Sequence, residues 1–91
     1  MISLSTHKNF VKDLQKAKLT QTNVEKLFLY ISILLNKGKL PKEAKDHQLI
    51  GEWDDTKEFH ISGDLVVIYQ LENDVLKLLR IGTHSQLFRK F

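Results

Sequence analysis

The 91-residue chain has no cysteine, one proline, four glycines and one tryptophan. Without cysteine there is no disulfide framework and no thiolate metal site. The sequence holds no Gly-rich phosphate loop and no nucleophile elbow. No apolar run approaches the ~20 residues of a membrane-spanning helix. Met1-Ile2-Ser3-Leu4 is too short for the apolar stretch of a signal peptide. A cytoplasmic protein with no membrane association is therefore expected. Charge of one sign is also scarce: 14 Lys+Arg against 11 Asp+Glu give +3 and a pI near 9.2, a weak pointer to a polyanion partner. One domain spanning residues 1–91 is expected, burying somewhat more than ~60% of the surface of its unfolded chain. There is little room for a deep cavity, so a substrate has to lie across the surface or be enclosed by a partner.

What is present divides into a helical first half and a strand-rich second half. Ile2 and Leu4 alternate with polar residues, predicting a short first strand. Ser5 or Thr6 then caps a helix whose apolar face is Phe10, Leu14 and Ala17, with Val11 beside it. His7 reads as a helix-end residue. Lys8, Lys12 and Lys16 form a stripe on that helix, either a solvated surface or a set of phosphate contacts. Thr22-Asn23-Val24-Glu25 fits a capping box for a second helix. Its apolar stripe is Val24, Leu27, Phe28, Ile31, Leu34 and Leu35. Gly38 suits the left-handed position past its end, and Pro41 prevents resumption. Lys57 to Ile61 reads as a strand. Asp64 to Leu71 is apolar on both faces in its middle, predicting a central strand covered on both sides. Glu72-Asn73-Asp74 suits a hairpin, and Val75 to Ile81 is the last strand. Two helices beside an antiparallel meander in one sheet define an α+β domain.

The chemistry concentrates between Asp46 and Phe88, which holds His47, His60 and His84. Alternation along an extended strand places Arg80, Gly82 and His84 on one face, with Gly82 leaving space between the cation and the ring. Leu76 and Leu78 would be the apolar floor of that face. A tight turn over Ile61-Ser62-Gly63 would join His60 to Asp64. His47 falls in a loop, where binding residues concentrate. A zinc site on His47, His60 and His84 is conceivable, but the spacing matches no compact ligand motif. Acid–base work on a phosphodiester, with no metal and no cofactor, suits these residues better.

Three ordered blocks carry a resemblance. Asp46-His47-Gln48-Leu49-Ile50-Gly51-Glu52-Trp53, Glu58-Phe59-His60-Ile61-Ser62-Gly63-Asp64 and Leu79-Arg80-Ile81-Gly82-Thr83-His84-Ser85-Gln86-Leu87-Phe88 resemble YafQ-type toxins of the RelE/ParE toxin–antitoxin superfamily. The resemblance implies a RelE-like fold: a short N-terminal strand, two helices and a strand meander. It implies a metal-independent endoribonuclease that cuts mRNA in the ribosomal A site, in contact with ribosomal RNA. It also implies a cognate antitoxin that masks the active face, in a complex expected to be a heterotetramer. His47, His60, Asp64 and His84 match the family's catalytic positions. Arg80 matches its phosphate-stabilising arginine, and Phe88 the C-terminal aromatic that holds RNA. Lys57 stands where some relatives have Arg, exchanging a bidentate contact for a point charge. Arg89-Lys90-Phe91 run past the closing phenylalanine. Among these residues His84 is the expected general acid and Asp64 the expected general base. The competing expectations are a ParE-like toxin that acts on DNA gyrase without cleaving RNA, and a non-catalytic RNA-binding or partner-binding domain.

Overall fold

The computed structural model describes residues 2–51 and 55–88. In chain order the elements are strand β1 (Ser3–Thr6), helix α1 (Lys8–Lys16), helix α2 (Gln21–Leu35), a 3-10 turn (Lys42–Ala44), strands β2 (His47–Gln48), β3 (Lys57–Ser62), β4 (Leu65–Glu72) and β5 (Val75–Thr83), and the single-turn helix α3 (His84–Leu87). The strands form one sheet in the order β1-β5-β4-β3-β2. β2 to β5 are antiparallel neighbours, while β1 joins β5 in parallel, so the sheet is mixed. The β4–β5 hairpin turns over Asn73 and Asp74, both in the left-handed region at φ 54° and 61°. This matches the two-residue hairpin turn whose twist suits flanking strands, and Asn and Asp tolerate it better than most residues.

The helix ends are displaced from the expected ones. Ser5 and Thr6 do not cap α1, because both are consumed by β1, which pairs as far as Thr6 opposite Leu78. The cap is His7, whose Nδ1 accepts the Asn9 N–H at 3.0 Å. α2 is capped by Thr20, not Thr22: its hydroxyl accepts the Asn23 N–H at 3.1 Å. At the other end Lys37, not Gly38, takes the left-handed conformation, at φ 59°. Lys37 N–H then reaches the Leu34 carbonyl and Gly38 N–H the Ile33 carbonyl, a Schellman motif. Gly38 is needed for a different reason: a Cβ there would sit 3.0 Å from Ile33 Cγ2.

The helices cover one face of the sheet. Phe10, Leu27, Tyr30 and Leu34 pack with Phe59, Ile61, Val67, Tyr69, Leu76, Leu78 and Ile81. The expected stripe on α2 is rotated: Tyr30 is buried at 2% exposure, whereas Phe28 is 66% exposed. Tyr30 makes an edge-on contact with Phe59, ring centres 5.6 Å apart, which hydrophobicity counting does not foresee. Leu14 and Val11 on α1 are likewise exposed.

The other face carries a smaller apolar cluster of Val66, Ile68 and Leu87, joined by Leu49, Leu79 and Phe88. β4 is thus central and covered on both sides, as its sequence indicates. A bulge shapes this second face. Ile68 pairs with Arg80 and Tyr69 with Leu78, leaving Leu79 without an opposite residue. The extra residue reverses the alternation beyond it. Leu76 and Leu78 therefore belong to the helix side, and Val66 and Ile68 form the floor of the face that carries Arg80.

Candidate active site

Directly opposed residues in a ladder share a face, so register alone assembles the site. One row across the sheet reads His47, Glu58, Ile68, Arg80, and the next reads His60, Val66, Gly82. Strands are spaced by ~4.8 Å, so the Glu58 and Arg80 backbones lie roughly 10 Å apart with Ile68 between them. The sheet holds the acid–base cluster on one flank and the guanidinium on the other.

Glu58 is the centre of the cluster. It is 2% exposed, and its Oε2 meets three imidazole Nε2 atoms: His47 at 3.3 Å, His60 at 3.1 Å and His84 at 3.1 Å. Its Oε1 is buried with no hydrogen-bond partner among the described residues. A buried carboxylate oxygen left without a partner is costly. Retention of such an atom beneath three titratable rings points to function rather than stability. Sequence reasoning missed Glu58. The available signal was period-two alternation, which puts Glu58 beside His60 on one face of β3.

His84 is the first residue of α3. Thr83 caps that helix and Gln86 bonds back to the Thr83 N–H, a complete capping box. Gly82 does not leave open space between Arg80 and His84 as expected. α3 folds over it, and a Cβ at residue 82 would lie 2.9 Å from Gln86 Oε1 and 3.2 Å from Leu87 Cδ2. The missing side chain lets α3 lie close to the sheet and swings the His84 ring over Glu58. Asp64, in the β3–β4 turn, accepts from His84 Nδ1 at 2.8 Å. The expected meeting of His60 with Asp64 is thus replaced by His60 on Glu58 and His84 on Asp64. Both ring nitrogens of His84 face carboxylates, which accept hydrogen bonds only, so both contacts are made by the imidazolium. Its pKa is accordingly raised above 6.5, first by the Asp64 hydrogen bond and then by Glu58, against an opposing desolvation.

The remaining candidates divide. His47 is on the edge strand β2 rather than in a loop, and its Nδ1 lies 2.6 Å from the Lys45 carbonyl. Phe88 stacks on His84 with ring centres 5.5 Å apart. Arg80 forks onto Asp13 of α1, through Nε at 2.6 Å and Nη2 at 3.0 Å. Lys8, Lys12 and Lys16 are all exposed on α1; Lys16 also lines a cleft of ≈390 Å³ together with Asp13, Arg80, Gly82 and Thr83. Lys57 pairs with Tyr69 in the ladder and so points to the opposite face, where it meets Asp46 at 3.3 Å. It lies outside the cluster. Glu52, Trp53 and Arg89-Lys90-Phe91 lie outside the described residues.

Imidazoles hydrogen-bonded to carboxylates can transfer protons. Ligand atoms of Glu58, His60 and His84 also lie within 4.8 Å of one another, and a carboxylate with two imidazoles suits zinc or copper. A small sheet with helices on one side thus holds three imidazoles on one buried carboxylate, with an arginine across the floor.

Residues 2–89 match the family model described as the bacterial toxin of type II toxin–antitoxin systems, YafQ. The chain is a member of that family. It is 41% identical over 92 residues to a YafQ toxin candidate of Haemophilus influenzae, covering 93% of this chain and 90% of that one. It is 34% identical over 80 residues to the mRNA interferase toxin YafQ of Escherichia coli K12, covering 87% of each. Among solved structures, a metal-bound toxin from Helicobacter pylori superposes with a TM-score of 0.85 at 33% identity, covering 97% of this chain and 100% of that one. The E. coli DinJ–YafQ complex gives 0.84 at 30% identity, covering 97% and 99%.

Proposed function

We propose that this toxin is an mRNA endoribonuclease acting on the ribosome, using the RNA's own 2′-hydroxyl as nucleophile. The observation that carries this reading is the convergence of three imidazoles on Glu58 Oε2, with Arg80 on the same face two strands away. A relative named mRNA interferase supports the substrate class.

Cleavage requires that the 2′-hydroxyl lose a proton, that charge developing on the phosphorus oxygens be stabilised, and that the departing 5′-oxygen be protonated. His84 is the general acid, since Asp64 and Glu58 keep it protonated above the ordinary histidine range. Asp64 was expected to be the general base. Its hydrogen bond to His84 Nδ1 supports reading it instead as the carboxylate that orients the acid. We assign His60 as the general base: in the neutral ring that donates Nε2–H to Glu58, Nδ1 is the nitrogen that carries the lone pair. Glu58 thus plays toward His60 the role that the buried aspartate plays in a serine protease triad. Each proton transfer contributes typically 10²–10⁴-fold. Arg80 supplies fixed positive charge to the phosphate. His47 and Phe88 flank the cluster and position the RNA, and Lys16 shares a cleft with Arg80. The scheme needs no metal in the chemical step. A metal bound at Glu58, His60 and His84 would displace the protons that the two Nε2 atoms hold on Glu58. A cognate antitoxin would cover this face, as DinJ assembles with YafQ in E. coli, in a complex proposed to be a heterotetramer in the cytoplasm.

The test is to map the 5′ ends of cellular mRNA after expression of the native chain and of His60→Gln. New cut sites in coding regions, insensitive to 1,10-phenanthroline at constant Mg²⁺ when purified protein and ribosomes are used, are expected with the native chain alone. Loss of DNA supercoiling with intact mRNA would support a gyrase-directed toxin instead. Cleavage abolished by 1,10-phenanthroline at constant Mg²⁺ would require a transition metal in the chemistry.

A further inference from the structure

Asp13 was not singled out by sequence, yet it joins three groups on β5. Its Oδ2 accepts from Arg80 Nε at 2.6 Å and from the Ile81 backbone N–H at 3.1 Å, and its Oδ1 accepts from Arg80 Nη2 at 3.0 Å. The topology explains how it reaches them. β1 pairs with β5 only as far as Leu78, so the edge of β5 beyond that point has no strand partner. α1 runs along this exposed edge, and Asp13 occupies the place the next strand would have taken. Its carboxylate therefore satisfies an otherwise open ladder N–H and fixes the arginine one residue earlier.

We propose that Asp13 is a positioning residue for RNA cleavage, acting through Arg80. A free arginine side chain has four rotatable bonds and loses considerable freedom when it engages a ligand. The fork through Nε and Nη2 fixes the guanidinium plane before RNA arrives. A guanidinium carries five N–H donors; two are on Asp13, and three remain for a phosphate. The Asp13 charge offsets that of Arg80 at long range, so the pair contributes directed N–H groups rather than a diffuse attractive field. Its effect belongs mainly in kcat, where geometry at the transition state counts, and less in RNA affinity. A clamp that withheld Arg80 from RNA would have the opposite sign.

This inference rests on the nuclease reading above. The experiment is a double-mutant cycle on cleavage by purified protein with ribosomes, using Asp13→Asn and Arg80→Lys. Asn keeps an oxygen for the Ile81 N–H but presents one N–H₂ group to the guanidinium. Asp13→Asn is expected to lower kcat about tenfold or more with KM within about twofold. In the Arg80→Lys background, which has no fork to orient, the same change is expected to cost about twofold or less. The Arg80 Nε–H resonance, followed by NMR, is expected to be shifted and slow to exchange only when Asp13 is present. Equal losses in both backgrounds would assign Asp13 a purely structural role and overturn the proposal, as would faster cleavage by Asp13→Asn. No cleavage by the native protein would remove the nuclease reading itself, a result distinct from either.

Discussion

Three histidine nitrogens on one carboxylate oxygen give Glu58 more dependants than any other described residue of the site. Replacing it with Gln preserves the shape but substitutes a neutral amide for the shared anion. Cleavage is expected to fall by about 10² or more, the value of a single proton transfer, with circular dichroism unchanged. Full activity in a folded Glu58→Gln protein would remove Glu58 from the site. His84 makes a pH-dependent contribution to stability. Its pKa is raised on folding, so it stabilises the native state fully below the ordinary value of about 6.5 and ceases to do so as pH rises through the folded value. The melting-temperature gap between the native chain and His84→Gln is therefore expected to be wider at about pH 6 than at about pH 9. A gap that widened with pH would contradict the ion pair with Asp64.

At the scale of elements, α3 and α2 each make a prediction. α3 lies on the sheet because residue 82 lacks a side chain. Gly82→Ala drives a Cβ to 2.9 Å from Gln86 Oε1 and 3.2 Å from Leu87 Cδ2. Overpacking of this kind costs ~1–3 kcal/mol. It also moves the helix that starts with His84, so activity is expected to fall alongside stability in thermal melts. α2 faces the core through Leu27, Tyr30 and Leu34. Phe28→Ser is expected to change stability by no more than ~0.5 kcal/mol, whereas Tyr30→Ala should cost ~3–5 kcal/mol, by analogy with other large aromatic truncations. Denaturant titration separates them, and reversal of that order would put the apolar stripe back where the sequence placed it.

For the whole molecule, the α+β architecture, the succession of β1, β3, β4 and β5 and the central position of β4 were legible in hydrophobic periodicity, whereas the sequence around β2 reads as a loop. The exact helix caps were not: the β1–β5 pairing takes Ser5 and Thr6 and leaves His7 to cap α1, and at α2 the local sequence offers two threonines, of which Thr20 is used. The candidate face was half legible. His47, His60, His84 and Arg80 stood out by type and by resemblance. Glu58 was obscured by its place among charged neighbours in a short strand. The partnership of Asp13 with Arg80 joins residues 67 apart in the chain, beyond the reach of any local pattern. The bulge at Leu79, which decides the face of each β5 side chain, likewise exists only in the paired sheet.

The functional account depends on the RNA supplying its own nucleophile to this cluster. The direct measurement is cleavage of a ribosome-bound mRNA bearing a single 2′-deoxy nucleotide at the cut position, with the products' 3′ ends identified. The account predicts no cut at that position, and a 2′,3′-cyclic phosphate or 3′-phosphate on the all-ribose control. Cleavage of the 2′-deoxy substrate, or a 3′-hydroxyl product from the control, would contradict it.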